Sequence, residues 1–367
     1  MNRCQRCCIP DTRPDTAFVD GVCSACLWYD QRPSIDWDAR RAELHKLLER
    51  HANPGGYDCI VPSSGGKDST WQVLTLIEMG ARPLVVTAST CHLTPIGRAN
   101  IDNLARYATT IEVSPNKAVR AKLNRLGLEL VGDISWPEHL AIFATPFQVA
   151  VDMEIPLIFY GENPQNQYGG PLGTEEAKTM TRRWVTEFGG HLGLRPADVI
   201  GQCGITERDM DSYRLPSTEE LEVVEIEAHF LGQYLPWDSN ANANKAIAAG
   251  MRSSLPTPAN WWEAENLDNA QTGLHDYGMF LKYGLSRIAQ QLSVDVRNAR
   301  MTRGRAMEIL RAREGKFPEV YAGVPVEDVL DRLGMTFDDL WAALDRFTNR
   351  NLFRRVEDGP YPPMFIG

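Results

Sequence analysis

Four cysteines near the start of the chain have the type and spacing to hold a metal ion. In "CQRCCIPDTRPDTAFVDGVCSAC", Cys4, Cys7, Cys23 and Cys26 form one CxxC, fifteen intervening residues and a second CxxC, the pattern of four-thiolate Zn2+ sites. Each CxxC sets two sulfurs on one tight turn. The stretch between them is punctuated by Pro10, Pro14 and Gly21 and has almost no periodic apolar pattern, so hydrophobic burial alone cannot fold it. Zinc supplies about 10 to 16 kcal/mol of folding free energy to small modules of this kind. Ordinary buried thiols and an iron–sulfur cluster are the competing readings. Cys8 stands outside the set, because neighbouring residues cannot easily both reach one metal while Cys7 completes the CxxC. A closed four-cysteine site leaves no position for a substrate, so its role is structural.

A second stretch, "YDCIVPSSGGKDSTWQVL", reads as strand, turn and helix N-terminus: an apolar run ends in Ser63, Ser64, Gly65 and Gly66, and a helix opens at about Asp68. That order makes an anion site. Backbone N–H groups of a first helical turn have no intrahelical partners, the macrodipole is positive there, and glycine removes the Cβ that would hold a phosphate off. It is not a Walker A loop, since GxxxxGK[ST] is absent.

The six residues "SGGKDS" at 64–69 resemble the SGGxDS signature of PP-loop ATP pyrophosphatases, the superfamily that includes GMP synthetase, asparagine synthetase and tRNA thiolation enzymes. The resemblance implies that the loop holds the pyrophosphate of ATP, that ATP is cleaved between its α and β phosphates, and that a nucleophile then displaces AMP from an adenylated substrate oxygen. It makes Ser64, Gly65, Gly66, Lys67, Asp68 and Ser69 the ATP phosphate site. Ser64 and Ser69 would donate hydroxyls, Lys67 would add a charge contact, and Asp68 would orient the loop or Mg2+. Adenine would sit at the edge of the following strand, "PLVVTAS".

The resemblance narrows further. A cysteine module joined directly to a PP-loop, followed by "GEN" at 161–163, "YGG" at 168–170, "PWD" at 236–238, "FLKYGLSR" and "RNARMTR", is similar over nearly the whole chain to the N-acetyl sugar amidotransferase family. That family implies conversion of an acetamido group to an acetamidino group on sugars of bacterial surface polysaccharides and nonulosonic acids. Ammonia would come from a separate glutaminase through a cyclase-like partner. The chemistry suits the loop: an acetamide carbonyl is a poor electrophile until its oxygen becomes a leaving group, and preorganised dipoles with Mg2+ would stabilise the departing pyrophosphate. Candidate catalytic residues are Lys67, Asp68, Glu162 and Asn163. Glu162 and Asn163 follow an apolar run, so they project from a carboxyl-end loop, where open α/β sheets bind ligands, and are read as positioning substrate or ammonia. Asp238 is similarly placed. Lys282 and Arg287 are candidates to meet a sugar carboxylate or phosphate.

The elements that must position these groups emerge from the apolar texture. A helix is expected over "SIDWDARRAELHKLLERH", capped by Ser34 or Asp36. From Tyr57 the runs "YDCIVPSS", "PLVVTAS", "TTIEVS", "PLIFYG" and "LEVVEIEAHF" alternate with helical patterns, the signature of parallel strands with crossover helices. The fold class is α/β, an open PP-loop parallel sheet over about 57–235, with a zinc-ribbon-like module before it and a helical extension after it. The expected units are 1–50, 51–238 and 239–367.

Composition sets limits. With 43% hydrophobic and 23% charged residues among 367, and no apolar run of bilayer length, the chain reads as a globular protein without a membrane span. No secretory h-region opens it, and the paired cysteines suit a reducing compartment, so a cytoplasmic location is expected. A formal charge of -10 argues against a broad phosphate-tracking surface and so against the main alternative, a PP-loop tRNA sulfurtransferase. That alternative would also need catalytic cysteines, and Cys59, Cys91 and Cys203 form no paired motif. "GQCGI" around Cys203 departs from the GxCxG of a class I glutaminase at Ile205, so no glutaminase is encoded here.

Overall fold

The computed structural model describes residues 1–173, 177–257, 259–356 and 359–366. The chain opens with a two-stranded hairpin, β1 (Phe18–Val19) and β2 (Val22–Cys23), then α1 (Ser24–Gln31) and α2 (Trp37–Arg50). Asp36 caps α2 by accepting from the Ala39 N–H, and Leu44, Leu47 and Leu48 form its buried face, as their spacing requires.

The sheet domain then runs β3 (Cys59–Pro62), α3 (Lys67–Glu78), β4 (Pro83–Ala88), α4 (Pro95–Leu104), β5 (Thr110–Val113), α5 (Lys117–Val131), α6 (Trp136–Asp152), β6 (Leu157–Tyr160), the short helices α7 (Pro164–Tyr168), α8 (Arg182–Phe188) and α9 (Thr218–Val223), and β7 (Glu227–Phe230). Its five strands lie in the order β5-β4-β3-β6-β7, and all neighbours are parallel. The chain leaves β3 toward one edge and returns to β6 on its other side. The order therefore reverses at β3, and a crevice opens at its carboxyl end. Apolar side chains fill both faces of the sheet: Val61, Val85, Leu157 and Phe159 point one way, and Ile60, Leu84, Val86 and Ile158 the other.

The remainder is α10 (Ser239–Ala248), α11 (Thr272–Tyr283), α12 (Arg287–Arg297), α13 (Arg303–Arg313), the hairpin β8 (Val320–Tyr321) and β9 (Val324–Pro325), α14 (Val326–Leu333), α15 (Phe337–Phe347) and the hairpin β10 (Phe353–Val356) and β11 (Gly359–Phe365). The fold is α/β, with a parallel sheet, a four-cysteine module before it and a mainly helical region after it.

One expectation is corrected. The run "LEVVEIEAHF" is not one strand: Ser217 and Glu220 form a reciprocal capping box, which starts a helix through Val223 and leaves only Glu227–Phe230 to the sheet. A local cap outcompetes β-propensity here, because two otherwise orphaned N–H groups are satisfied at once. The C-terminal extension is mainly helical, as expected, with two short hairpins between and after its helices.

The helical region shares its cores with the rest of the chain. Leu128 and Ile134 of the sheet domain share a core with Leu274, Leu330 and Leu344. The four cysteines share another with Ile288, Leu292 and Leu310.

Candidate active site

At the carboxyl end of β3 the chain turns into α3 through residues 63–66. Gly65 has φ +76, and a Cβ on it would stand 2.7 Å from the Ile101 backbone nitrogen, so both conformation and the approach of α4 demand glycine. Gly66 differs. Its φ is −74 and it caps α3 without a side chain, and a Cβ there would meet only Ser64 Oγ at 3.4 Å. Among the described residues, nothing excludes a side chain at Gly66. Its absence keeps the first-turn N–H groups of α3 open to the crevice. Within the turn, Ser63 Oγ lies 2.8 Å from Ser69 Oγ and accepts from the Gly65 N–H at 2.9 Å. Ser63, read from sequence only as the start of the turn, is thus an internal brace of the loop.

This loop floors a cavity of about 330 Å³ lined by residues 63–69, Glu162 and Asp268, a size suited to a small-molecule ligand. One wall is apolar. Phe143 packs at 5.7 Å from Tyr160 and 6.0 Å from Trp184, and Trp184 at 5.1 Å from Phe230. Pro146 stands inside α6 and has no N–H for the carbonyl of Ile142 one turn back. The Tyr160 hydroxyl reaches that carbonyl at 3.5 Å instead, so the helix defect ties α6 to the end of β6 at the cavity rim.

Lys67 is 6% exposed. Its Nζ lies 2.8 Å from both Asp68 Oδ2 and Glu265 Oε2, and 5.6 Å from the Trp262 ring centre. Burial opposes its charge, but the two carboxylates outweigh burial and hold its pKa well above the lysine range. Burial likewise opposes ionisation of Glu265, and Lys67 and Arg287 reverse that. Asp68 also accepts from Asn242 Nδ2 at 3.0 Å. Burial, reinforced by the Asp68 charge, pushes Glu162 up to about 7. Burial also pushes Asp268 up to about 6, with the Glu265 charge adding to it. The cavity thus joins an anion-ready loop and a buried ammonium to carboxyl groups poised near neutrality.

The roof comes from residues far along the chain. Asn269 bridges to Leu93 in antiparallel fashion, the Thr94 N–H donates to the Asp268 carbonyl at 3.0 Å, and the Thr94 hydroxyl donates to the Leu267 carbonyl. Gly97 admits this contact, since a Cβ on it would stand 2.5 Å from Asp268 Cα. Glu265, Asp268 and Trp262 were missed from sequence. They sit in "NWWEAENLDN", an irregular loop with neither period nor motif; only its dense acidic and aromatic content hints at a site.

Other candidates lie elsewhere. Asn163 does not line this cavity; its Oδ1 accepts from the Gln165 N–H and caps α7, and it borders a small cleft beside Trp28 and Trp237. Asp238 caps α10 and pairs with Arg300 at 2.6 Å. Lys282 Nζ donates to the Val131 carbonyl at 3.0 Å. Arg287 pairs with buried Asp276 at 2.9 Å. Capping, a backbone carbonyl and a buried ion pair claim these four side chains.

The four N-terminal cysteines converge. Cys7 and Cys23 sulfurs lie 3.6 Å apart, and those of Cys4 and Cys26 3.9 Å; a tetrahedron built on Zn–S bonds of about 2.3 Å has edges of about 3.8 Å. N–H groups of Arg6 and Cys23 point at Cys4 Sγ, and Arg297 Nη1 lies 3.5 Å from Cys7 Sγ, donors that suit thiolates. Cys8 is not in the cluster; its N–H donates to Ser293 Oγ.

Residues 259–362, which include most of the cavity roof, match the family model described as "LPS biosynthesis protein WbpG-like, C-terminal domain". No curated protein matches the chain. Among solved structures, NMN synthetase from Francisella tularensis is similar to 60% of this chain and 99% of its own, at 13% identity and a TM-score of 0.26. The sequence likeness to a lipopolysaccharide-biosynthesis protein thus lies in the region that carries Glu265 and Asp268 over the phosphate-ready loop.

Proposed function

We propose that the chain is an ATP-using enzyme of surface-polysaccharide biosynthesis that converts the acetamido group of an N-acetylated sugar to an acetamidino group, releasing AMP and pyrophosphate. The observation that carries this reading is the cavity itself: a glycine-rich loop opening a helix, roofed by the region similar to a lipopolysaccharide-biosynthesis protein.

In this reading the N–H groups of α3 and the hydroxyl of Ser64 hold the β and γ phosphates of ATP. Lys67 exchanges Glu265 for a phosphate oxygen. Asp68 and Asp268 offer the hard oxygen donors that suit Mg2+, which when bound would neutralise charge on the leaving pyrophosphate. The acetamide oxygen attacks the α phosphorus and the bond to pyrophosphate breaks. Ammonia then adds to the acetamide carbon, and the C–O bond to AMP breaks with its electron pair. One proton of the added ammonia is lost, and the Glu162 carboxylate receives it. A glutaminase and a cyclase-like protein would supply the ammonia. A sulfurtransferase reading lacks its nucleophile, since no cysteine is among the cavity-lining residues.

The test is to incubate the protein with ATP, Mg2+, ammonium and an N-acetylated nucleotide sugar or nonulosonic acid. AMP is expected together with a product in which NH has replaced oxygen. AMP formation only with tRNA and a sulfur donor would overturn the proposal.

A further inference from the structure

Outside the cavity, three side chains from three elements meet at the seam between sheet domain and helical region. Asp133 lies just past α5, His139 near the start of α6, and His275 near the start of α11. Asp133 is 4% exposed. Its Oδ1 lies 2.8 Å from His275 Nδ1 and its Oδ2 3.1 Å from His139 Nδ1. The two imidazole planes stand 80° apart with ring centres at 5.1 Å. We infer that Asp133, His139 and His275 form a second metal site, a two-histidine, one-carboxylate centre for a divalent transition metal such as zinc, which clamps α11 to the junction of α5 and α6.

The competing account is a carboxylate that accepts one N–H from each imidazole. It fits His275, while His139 Nδ1, 3.1 Å from Asp133 Oδ2 and drawn to it by charge, meets the carboxylate off the line of a well-directed ring N–H bond. A hydrogen bond aligns the ring N–H with the oxygen. A shared ion instead asks both lone pairs to converge on a point between the atoms, and bonds of about 2.1 Å place tetrahedral ligands about 3.4 Å apart, wider than the 2.8 and 3.1 Å here, so a bound ion would spread the three groups slightly.

The surroundings fit a ligand set. The Ser135 N–H donates to Asp133 Oδ1 at 2.8 Å, and His275 Nε2 faces Asp276 Oδ1 at 3.9 Å. Gly190, at φ +77, lets the backbone pass so near His139 that a Cβ would stand 2.7 Å from its Nδ1. Imidazole ligands select zinc, cobalt, nickel or iron over Mg2+ and Ca2+. None of the three ligands lines the cavity, so the ion would be structural.

The test uses the full chain, stripped with a chelator under reducing conditions and titrated with Co2+. Two equivalents are expected: one with strong thiolate-to-cobalt charge-transfer absorption from the four cysteines, one with only the weak ligand-field bands of nitrogen and oxygen donors. Zn2+ reloading followed by elemental analysis should also give two. His139→Gln and His275→Gln should each lose the second equivalent and keep the thiolate band. Uptake of a single, thiolate-bound equivalent by the unmodified chain overturns the inference, whether or not the variants fold, and so does retention of both equivalents in folded variants.

Discussion

Adjacent glycines in the phosphate loop carry opposite burdens. Gly65 is held by φ +76 and by the α4 backbone, so Gly65→Ala should cost about 2 kcal/mol or more of stability. Gly66→Ala meets neither constraint; its methyl group instead enters the space above the helix N-terminus, where phosphate would sit. It should leave the melting temperature within a degree or two while lowering AMP formation about tenfold or more, a barrier increase of about 1.4 kcal/mol. Full activity in a stable Gly66→Ala protein would remove the loop from the phosphate site. Glu162 makes a second test at this scale. Its carboxyl ionises near the ordinary 4.5 when unfolded and at about 7 when folded. The unfolded chain thus releases its proton first as pH rises, and stability falls between those values. Activity moves the other way, because the carboxylate is the base: rate per free ammonia should rise as pH passes about 7. Glu162→Gln should flatten both slopes, and a persisting rate limb in that variant would assign the titration to another group.

Individual elements were legible where local signals agreed. Asp36 before "WDARRAELHKLL", the alternation of short apolar runs with long helical ones, and both CxxC turns each encode their own geometry, because caps, periods and paired sulfurs act over a few residues. The strand before Glu227 was misread because Ser217 and Glu220 satisfy two N–H groups that β-propensity ignores. Pro146 could be seen, but not that Tyr160 would reach the carbonyl it frees. The cysteine module has a consequence at this scale. Arg303 Nε donates to the Cys4 and Cys7 carbonyls at 3.0 and 3.2 Å, and the cysteines share their core with α12 and α13. Zinc loss should therefore loosen those helices too. In Cys26→Ser, bound zinc should fall and amide exchange in α12 and α13 should rise by an order of magnitude or more, with β3 and β4 unchanged. Faster exchange confined to residues near 4–26 would show that the module unfolds alone.

At the scale of the whole molecule, the cores and the candidate site draw on residues from both before and after 238. Such convergence is not legible in one sequence: Lys67 with Glu265 spans 198 positions and Asp133 with His275 spans 142, and no local pattern records either. The sheet domain depends on the helical region. Asn242 of α10 holds Asp68, Glu265 neutralises buried Lys67, and Leu128 and Ile134 are covered by α11, α14 and α15. A fragment of residues 51–238 would expose that apolar surface and leave Lys67 with one carboxylate instead of two; removing one partner of a buried pair costs about 3 to 5 kcal/mol, a large share of the about 5 to 15 kcal/mol by which domains are stable. The fragment should therefore show no cooperative thermal transition and no ATP-dependent stabilisation, whereas the full chain should melt as one unit that ATP and Mg2+ shift upward. A cooperative melt of the fragment, shifted by ATP as in the full chain, would make the sheet domain self-sufficient and reduce the roof to a substrate-binding accessory.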